Sequence, residues 1–238
     1  MWVRVMSFCF WIVLSIAMIV LSWNRNYVRS VQVFHVQIDE NYPRIISKDS
    51  VDKMLKLVLK DSTSKQKSEI HLKSLELQLA QNDLIKKTEA FLTLNDVLHI
   101  KVLPRIPVAH IKGKSEFYLD SDGRPIPLSP TYDSEVPTII NDPDVDRYET
   151  LSVLSIAITE DVFLASHIGD IEDHGDEVSM RVIDQNYLIK IKSVDDIQTK
   201  FKNYKAFYAL ATDQGSIGDF KEVALDYSNQ IICKRNTL

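Results

Sequence analysis

The chain is poor in cysteine, poor in glycine and without an excess of basic charge, and each shortage closes a class of function. Only Cys9 and Cys233 occur among 238 residues. One lies inside an apolar N-terminal run and the other near the C-terminus, so neither a disulfide framework nor a cysteine metal cage is available. Six glycines leave no glycine-rich phosphate loop, and no G-x-S-x-G nucleophile elbow occurs. A formal net charge of −5 lacks the concentrated basic field that phosphate backbones demand, which argues against a nucleic-acid partner. Internal repeats are also absent, and the one markedly polar stretch, DSTSKQKSE at residues 61–69, reads as a loop.

What remains is an ordinary globular composition, 45% hydrophobic and 26% charged, preceded by one long apolar run. Residues 5–23, opening on Val5 and closing on Trp23, carry no charge and are bounded by Arg4 and Arg25. About 20 residues of helix rise cross a bilayer core, so the run predicts a single transmembrane helix. Trp2, Trp23 and Tyr27 fall near its ends, where amphipathic rings favour the headgroup layer. A cleaved signal peptide is the rival reading. Ser15-Ile-Ala17 has the small-x-small form, but the apolar run continues past it, beyond the usual length of a signal core. Arg4 and the α-amine on one side face Arg25 and Arg29 on the other, so basic charge does not assign the orientation. No second run of this length follows, which leaves one body on one side of the membrane.

Most of the eight prolines fall between Pro104 and Pro143, separating two proline-poor parts. In the first, VQVFHVQI alternates as a strand does. Ser47 is placed to cap a helix whose stripe is Val51, Met54, Leu55 and Val58. Leu72, Leu75 and Leu79 repeat the stripe in a second helix ended by Asn82-Asp83. Residues 85–94 and 97–103 read as strands joined at Asn95-Asp96, with Leu98, Ile100 and Val102 on one face and His99 and Lys101 on the other. The order β-α-α-β-β predicts a small sheet with two helices on one face.

The second part opens with a hairpin, residues 114–119 and 124–128 around Asp122-Gly123. Asp142 and Pro143 are read as the start of a long helix carrying Leu151, Leu154, Ile158 and Val162. Val178, Met180 and Val182 alternate, as do Tyr187, Ile189 and Ile191, across a turn at 184–186. Residues 193–196 have the form of a capping box before a last helix with Ile197, Phe201, Tyr204 and Tyr208 on its apolar face. Residues 223–227 and 231–234 close the chain as strand, turn, strand. The fold class is α+β: a transmembrane helix, a β-α-α-β-β domain, then a β-rich domain with two helices.

The most enzyme-like constellation is His167, Asp170, Glu172, Asp173, His174 and Glu177. It offers nitrogen and oxygen ligands, and the alternative function it supports is a membrane-anchored metal-dependent hydrolase. Its spacing fits no standard ligand set, and Gly169 and Gly175 predict an open solvated loop. Asp120-Ser-Asp122-Gly123 has the opening of a calcium loop, but Pro125 stands where such a loop needs glycine, and the hairpin reading accounts for it. No residue is assigned to catalysis or to a metal, and no cofactor is called for.

The layout and three motifs resemble the bacterial cell-division proteins FtsQ and DivIB. The motifs are LKSLELQLAQNDLIKKTEAFLTLNDVLHIKVLPRIPVAHI at 72–111, FYLDSDGRPIPLS at 117–129 and VALDYSNQIICK at 223–234. The resemblance implies a POTRA-like domain over 28–107 and a β domain over 108–238. It also implies a non-enzymatic, single-pass scaffold of the divisome in the inner membrane, its body on the periplasmic side at the septum. Expected partners are FtsB-like and FtsL-like bitopic proteins and, through them, FtsW and FtsI of septal peptidoglycan synthesis. A POTRA module serving outer-membrane insertion is the third reading; it calls for lipid-facing barrel strands, and no series of them follows. One departure from the family is Asp226, where a basic residue commonly precedes the tyrosine.

Strand edges expose backbone donors and acceptors that a partner strand can pair. The terminal hairpin is therefore the candidate partner site, with Val223, Leu225, Tyr227 and Ile231 as its residues. Strand alternation puts Val223, Leu225 and Tyr227 on one face and Ala224 and Asp226 on the other. Tyr227 is the preferred anchor, since tyrosine supplies area and a hydroxyl at low entropic cost.

Overall fold

The computed structural model describes residues 2–27, 30–31, 33–39, 42, 45–59, 65–66, 70–129, 133–227 and 230–236. The chain divides into two compact units, Met1–Pro104 and Arg105–Leu238, and is mixed α+β as its patterning predicts. The first unit opens with α1 (Trp2–Tyr27). Its stretch Met6–Asn24 is long and apolar enough to cross a membrane, and the side chains along it are exposed. A helix satisfies its own backbone, so apolar rings and branches such as Phe8, Trp11 and Ile16 are unfavourable in water and at home in lipid.

After β1 (Ser30–Val31) and β2 (Val33–Ile38) comes α2 (Lys48–Val58), which starts where the sequence predicts. The Ser47 hydroxyl accepts from the Ser50 N–H at 3.1 Å, an N-cap worth about 1 kcal/mol. Val51 and Leu55 are buried, and Met54 and Val58 pack beside them. The loop expected over 61–69 is interrupted. Residues 61–64 and 67–69 lie outside the described residues, while β3 (Lys65–Gln66) pairs antiparallel with β1. Two-residue strands have no periodicity to read.

Next, α3 (Leu72–Leu79) buries Leu75 and Leu79, and the Asn82 side chain closes the following turn by accepting from the Leu84 N–H at 2.9 Å. Then β4 (Ile85–Leu92) and β5 (Val97–Pro104) form the expected hairpin, bent at Asp96 with φ 60°. In the resulting sheet β5 is central, with β2 parallel on one side and β4 antiparallel on the other. Leu98, Ile100 and Val102 are buried in the helix-covered core, each contributing about 1.5–3 kcal/mol by burial. The β-α-α-β-β order is as read, with β1 and β3 added to it.

The second unit contains β6 (Ala109–Lys112), β7 (Glu116–Leu119), β8 (Pro125–Pro127) and β9 (Thr138–Ile139). These are followed by α4 (Tyr148–Thr159), α5 (Val162–His167), β10 (Ile168–Asp173), β11 (Val178–Val182) and β12 (Leu188–Ile191). The chain closes with α6 (Ile197–Asp213), β13 (Phe220–Tyr227) and β14 (Gln230–Arg235). Among the described residues nine strands form one sheet in the order β14-β13-β12-β11-β10-β9-β6-β7-β8. The parallel pair β12–β13 is joined through α6, the crossover a parallel pair requires. Leu151, Leu154 and Ile158 of α4 and Phe201 and Tyr204 of α6 share one core with Met180, Ile189 and Val223 of the sheet.

The hairpin read at Asp122-Gly123 has a buried brace. One Asp120 carboxylate oxygen accepts from the N–H groups of Asp122 at 2.9 Å and Arg124 at 2.8 Å, and the other pairs with buried Arg105. Gly123 takes φ +71°, and a Cβ there would meet the Glu149 backbone nitrogen at 2.6 Å.

Three local expectations are corrected. Asp142 does not cap α4, which begins at Tyr148 after a 3-10 turn, Val145–Arg147; its carboxylate instead accepts from the Lys114 N–H at 2.7 Å. Val162 does not continue the α4 stripe and is 87% exposed. The helix stops at Thr159, and Asp161 starts α5 by accepting from the N–H groups of Phe163 at 3.0 Å and Leu164 at 3.1 Å. No capping box opens α6: the Ser193 hydroxyl binds the Asp195 carboxylate at 2.6 Å, and Asp196 enters the helix at φ 53° without a side-chain cap.

Candidate partner-binding edge

A nine-stranded open sheet has two ends, and their sequences differ. At one end β8 reads Pro-Ile-Pro. Proline has no N–H to offer, so two prolines in three residues block strand addition there. At the other end β14 reads QIICKR, with no proline, and among the described residues β13 is its one neighbour. Among the described residues no strand pairs the other edge of β14, so its outward donors and acceptors are offered to a further strand.

The terminal hairpin is fixed from both faces. Inward, Val223 and Leu225 are fully buried in the core, and Ile231 and Cys233 pack against it from β14. Burial pushes the Cys233 thiol pKa up. Outward, Lys190 meets Glu177 at 2.7 Å and Glu222 at 3.9 Å, and Glu222 meets Lys234 at 2.6 Å. This ladder of charges runs across β12, β13 and β14. The hydrogen bond from Lys234 is the main reason the Glu222 carboxyl titrates below its usual range. Such solvated pairs add little stability, but they align β14 on β13.

Sequence alternation assigns Val223, Leu225 and Tyr227 to one row, and the structure separates them. The β13–β14 register shifts between Ala224 and Tyr227, so Tyr227 leaves the buried row and lies opposite Gln230, 55% exposed. Asp226, the departure from the family pattern, has a local role: its carboxylate accepts from the Lys192 N–H at 2.9 Å, tying the shifted segment to the end of β12. Of the four residues read from the sequence, Tyr227 is exposed, Ile231 is half-buried, and Val223 and Leu225 belong to the core. Ile232, 47% exposed and opposite Ala224, was missed. The alternation Gln230, Ile232, Lys234 against Ile231, Cys233 is the signal that points to it.

The stretch from His167 to Glu177 is not an open loop. His167 ends α5, residues 168–173 are β10, and β10 pairs antiparallel with β11 through a register shift at Gly169-Asp170. His167 is buried, its Nε2 2.6 Å from the Tyr204 hydroxyl, which in turn lies 2.7 Å from the Tyr187 hydroxyl. Burial pushes the His167 pKa down and the Tyr187 pKa up to about 12. The Asp173 carboxylate is held by the Arg147 guanidinium, and Glu177 by Lys190. His174 is 3.8 Å from Glu172 at the surface. Asp170 and Glu172 both lie 4.0 Å from the Arg181 guanidinium, and among the described residues no three histidines, cysteines or carboxylates are grouped to hold a metal ion.

No curated protein matches the chain. A family model described as "FtsQ/DivIB, C-terminal related" matches residues 106–234, a span that takes in both ends of the nine-stranded sheet and the terminal hairpin. That span is more than half of the chain, and the protein belongs to this FtsQ/DivIB-related family of cell-division proteins.

Proposed function

We propose that this protein is a non-enzymatic bitopic scaffold of the bacterial divisome, linking early and late division proteins and septal peptidoglycan synthesis through binding. α1 is its inner-membrane anchor. The POTRA-like domain of residues 28–107 and the β domain of residues 108–238 stand on the periplasmic side at the septum. Its partners are an FtsB-like and an FtsL-like bitopic protein and, through them, FtsW and FtsI. The observation that carries the reading is the contrast between the two sheet ends, one closed by proline and one left open along β14. An extended partner segment adds to β14 by backbone hydrogen bonds, while Tyr227 and Ile232 give the side-chain contacts. Residues Val223, Leu225 and Ile231 shape the strand from beneath.

The test uses the full chain in detergent and an FtsB-like partner as ligand. Tyr227→Ala together with Ile232→Lys weakens capture by at least about 2 kcal/mol, the size of a hot-spot loss, with melting close to that of the parent. Leu225→Ala is the core control and lowers stability by about 2–4 kcal/mol. A folded double variant that captures the partner with parental affinity puts the interface elsewhere.

A further inference from the structure

The face of the three-stranded sheet opposite its helices carries a cross-strand row that the division role does not use. His35 on β2 and His99 on β5 are register partners, and Phe91 on β4 is the register partner of His99 on the other side. The two imidazole centroids lie 5.3 Å apart, and the Phe91 ring stacks on His99 at 5.2 Å with 6° between planes. Among the described residues no hydrogen bond or ion pair holds either imidazole, although His35 is exposed and His99 half-buried.

We propose that His35 and His99 chelate one divalent transition-metal cation of the Zn²⁺ type. The ring spacing fits such a chelate. Two imidazoles on a tetrahedral ion, each nitrogen about 2.05 Å from the metal, have ring centroids about 5.2 Å apart. The observed spacing meets that value with the rings on adjacent strands. Because the β5 pairings fix both backbones and Phe91 covers one face of the His99 ring, little ordering remains when the ion binds. Imidazole ligands select Zn²⁺, Cu²⁺ and Ni²⁺ over Mg²⁺ and Ca²⁺. With two protein ligands, the remaining coordination positions are taken by water.

The experiment titrates ZnCl2 into the full chain in detergent, purified without a polyhistidine tag, and follows heat of binding together with chemical modification of each histidine. The expected result is one Zn²⁺ per chain, joint protection of His35 and His99, and no response to MgCl2. His35→Ala and His99→Gln each weaken binding by more than about tenfold, since loss of even an outer-shell partner costs that much. His174→Ala leaves binding unchanged. Both site variants lie on the open face, and an unchanged melting temperature shows that they fold. Parental Zn²⁺ affinity in either one, or protection of His174 in place of the pair, overturns the assignment.

Discussion

Arg147→Met tests whether Asp173 is a structural carboxylate. Asp173 lies at the end of β10 with its side chain 2% exposed, and Arg147 reaches it with Nε at 3.2 Å and Nη2 at 2.9 Å from the same oxygen. Asn141 adds a backbone clamp, accepting from the Asp173 N–H at 3.2 Å and donating to its carbonyl. Removing one partner of a buried pair costs about 3–5 kcal/mol, because the other charge is left without compensation. Arg147 is 18% exposed, so water enters from its side and the lower bound, about 3 kcal/mol, applies. That corresponds to an open form about 150-fold more populated, readable as faster hydrogen exchange of the β10 and β11 amides in the full chain. Asp173→Asn on the Arg147→Met background removes the stranded charge and restores at least half of the protection. Acceleration below about fivefold in Arg147→Met, equivalent to roughly 1 kcal/mol, refutes the reasoning, as does a double variant no better than the single.

Gly123→Ala forces a side chain into φ +71° against the Glu149 backbone at 2.6 Å, and thermal melting of the second unit should register a loss of at least about 1 kcal/mol. His167 has its pKa lowered by burial from an ordinary 6.5. As pH falls through that ordinary value the unfolded chain takes up the proton before the folded one, so stability decreases until the folded pKa is passed. Melting between pH 8 and pH 5 should therefore show a decline that His167→Leu makes shallower; an equal slope in both proteins sinks the assignment.

How much was legible follows from how local each signal is. The Ser47 cap, the Asp122-Gly123 turn and the alternation of Leu98, Ile100 and Val102 each lie within a few residues, and all three are realised. Asp142 failed as a cap because a donor 28 residues away, the Lys114 N–H, claims its carboxylate, and no window around residue 142 contains that competitor. The stretch around His167 was misread for another reason. Gly169 and Gly175 are loop signals on average, whereas here Gly169 sits at the register shift of a strand and Gly175, at φ +86°, in the turn after it. Tyr227 was assigned to the buried row by strict alternation, and the shift between Ala224 and Tyr227 moved it out.

Sheet order was the largest unread quantity, and it is what gives the candidate edge its meaning. Alternation tells which face of a strand is buried but not which neighbours it has, since parallel pairings such as β12 with β13 join residues far apart in sequence. Once the order is known, the prolines of β8 change in significance. In the sequence they are part of a turn-rich middle; at the end of the sheet, Pro125 and Pro127 remove donors from one of the two places where the sheet could grow. A sheet that protected itself from all strand addition would guard both ends. Here β14 has charged Lys234 and Arg235 at one end but Ile231, Ile232 and Cys233 along its middle, with Tyr227 exposed beside it. An edge guarded by charge at one end only, with Ile232 and Tyr227 exposed along the rest of the hairpin, offers another chain both backbone and apolar contacts, which is the physical reason to look for the division partner at β14.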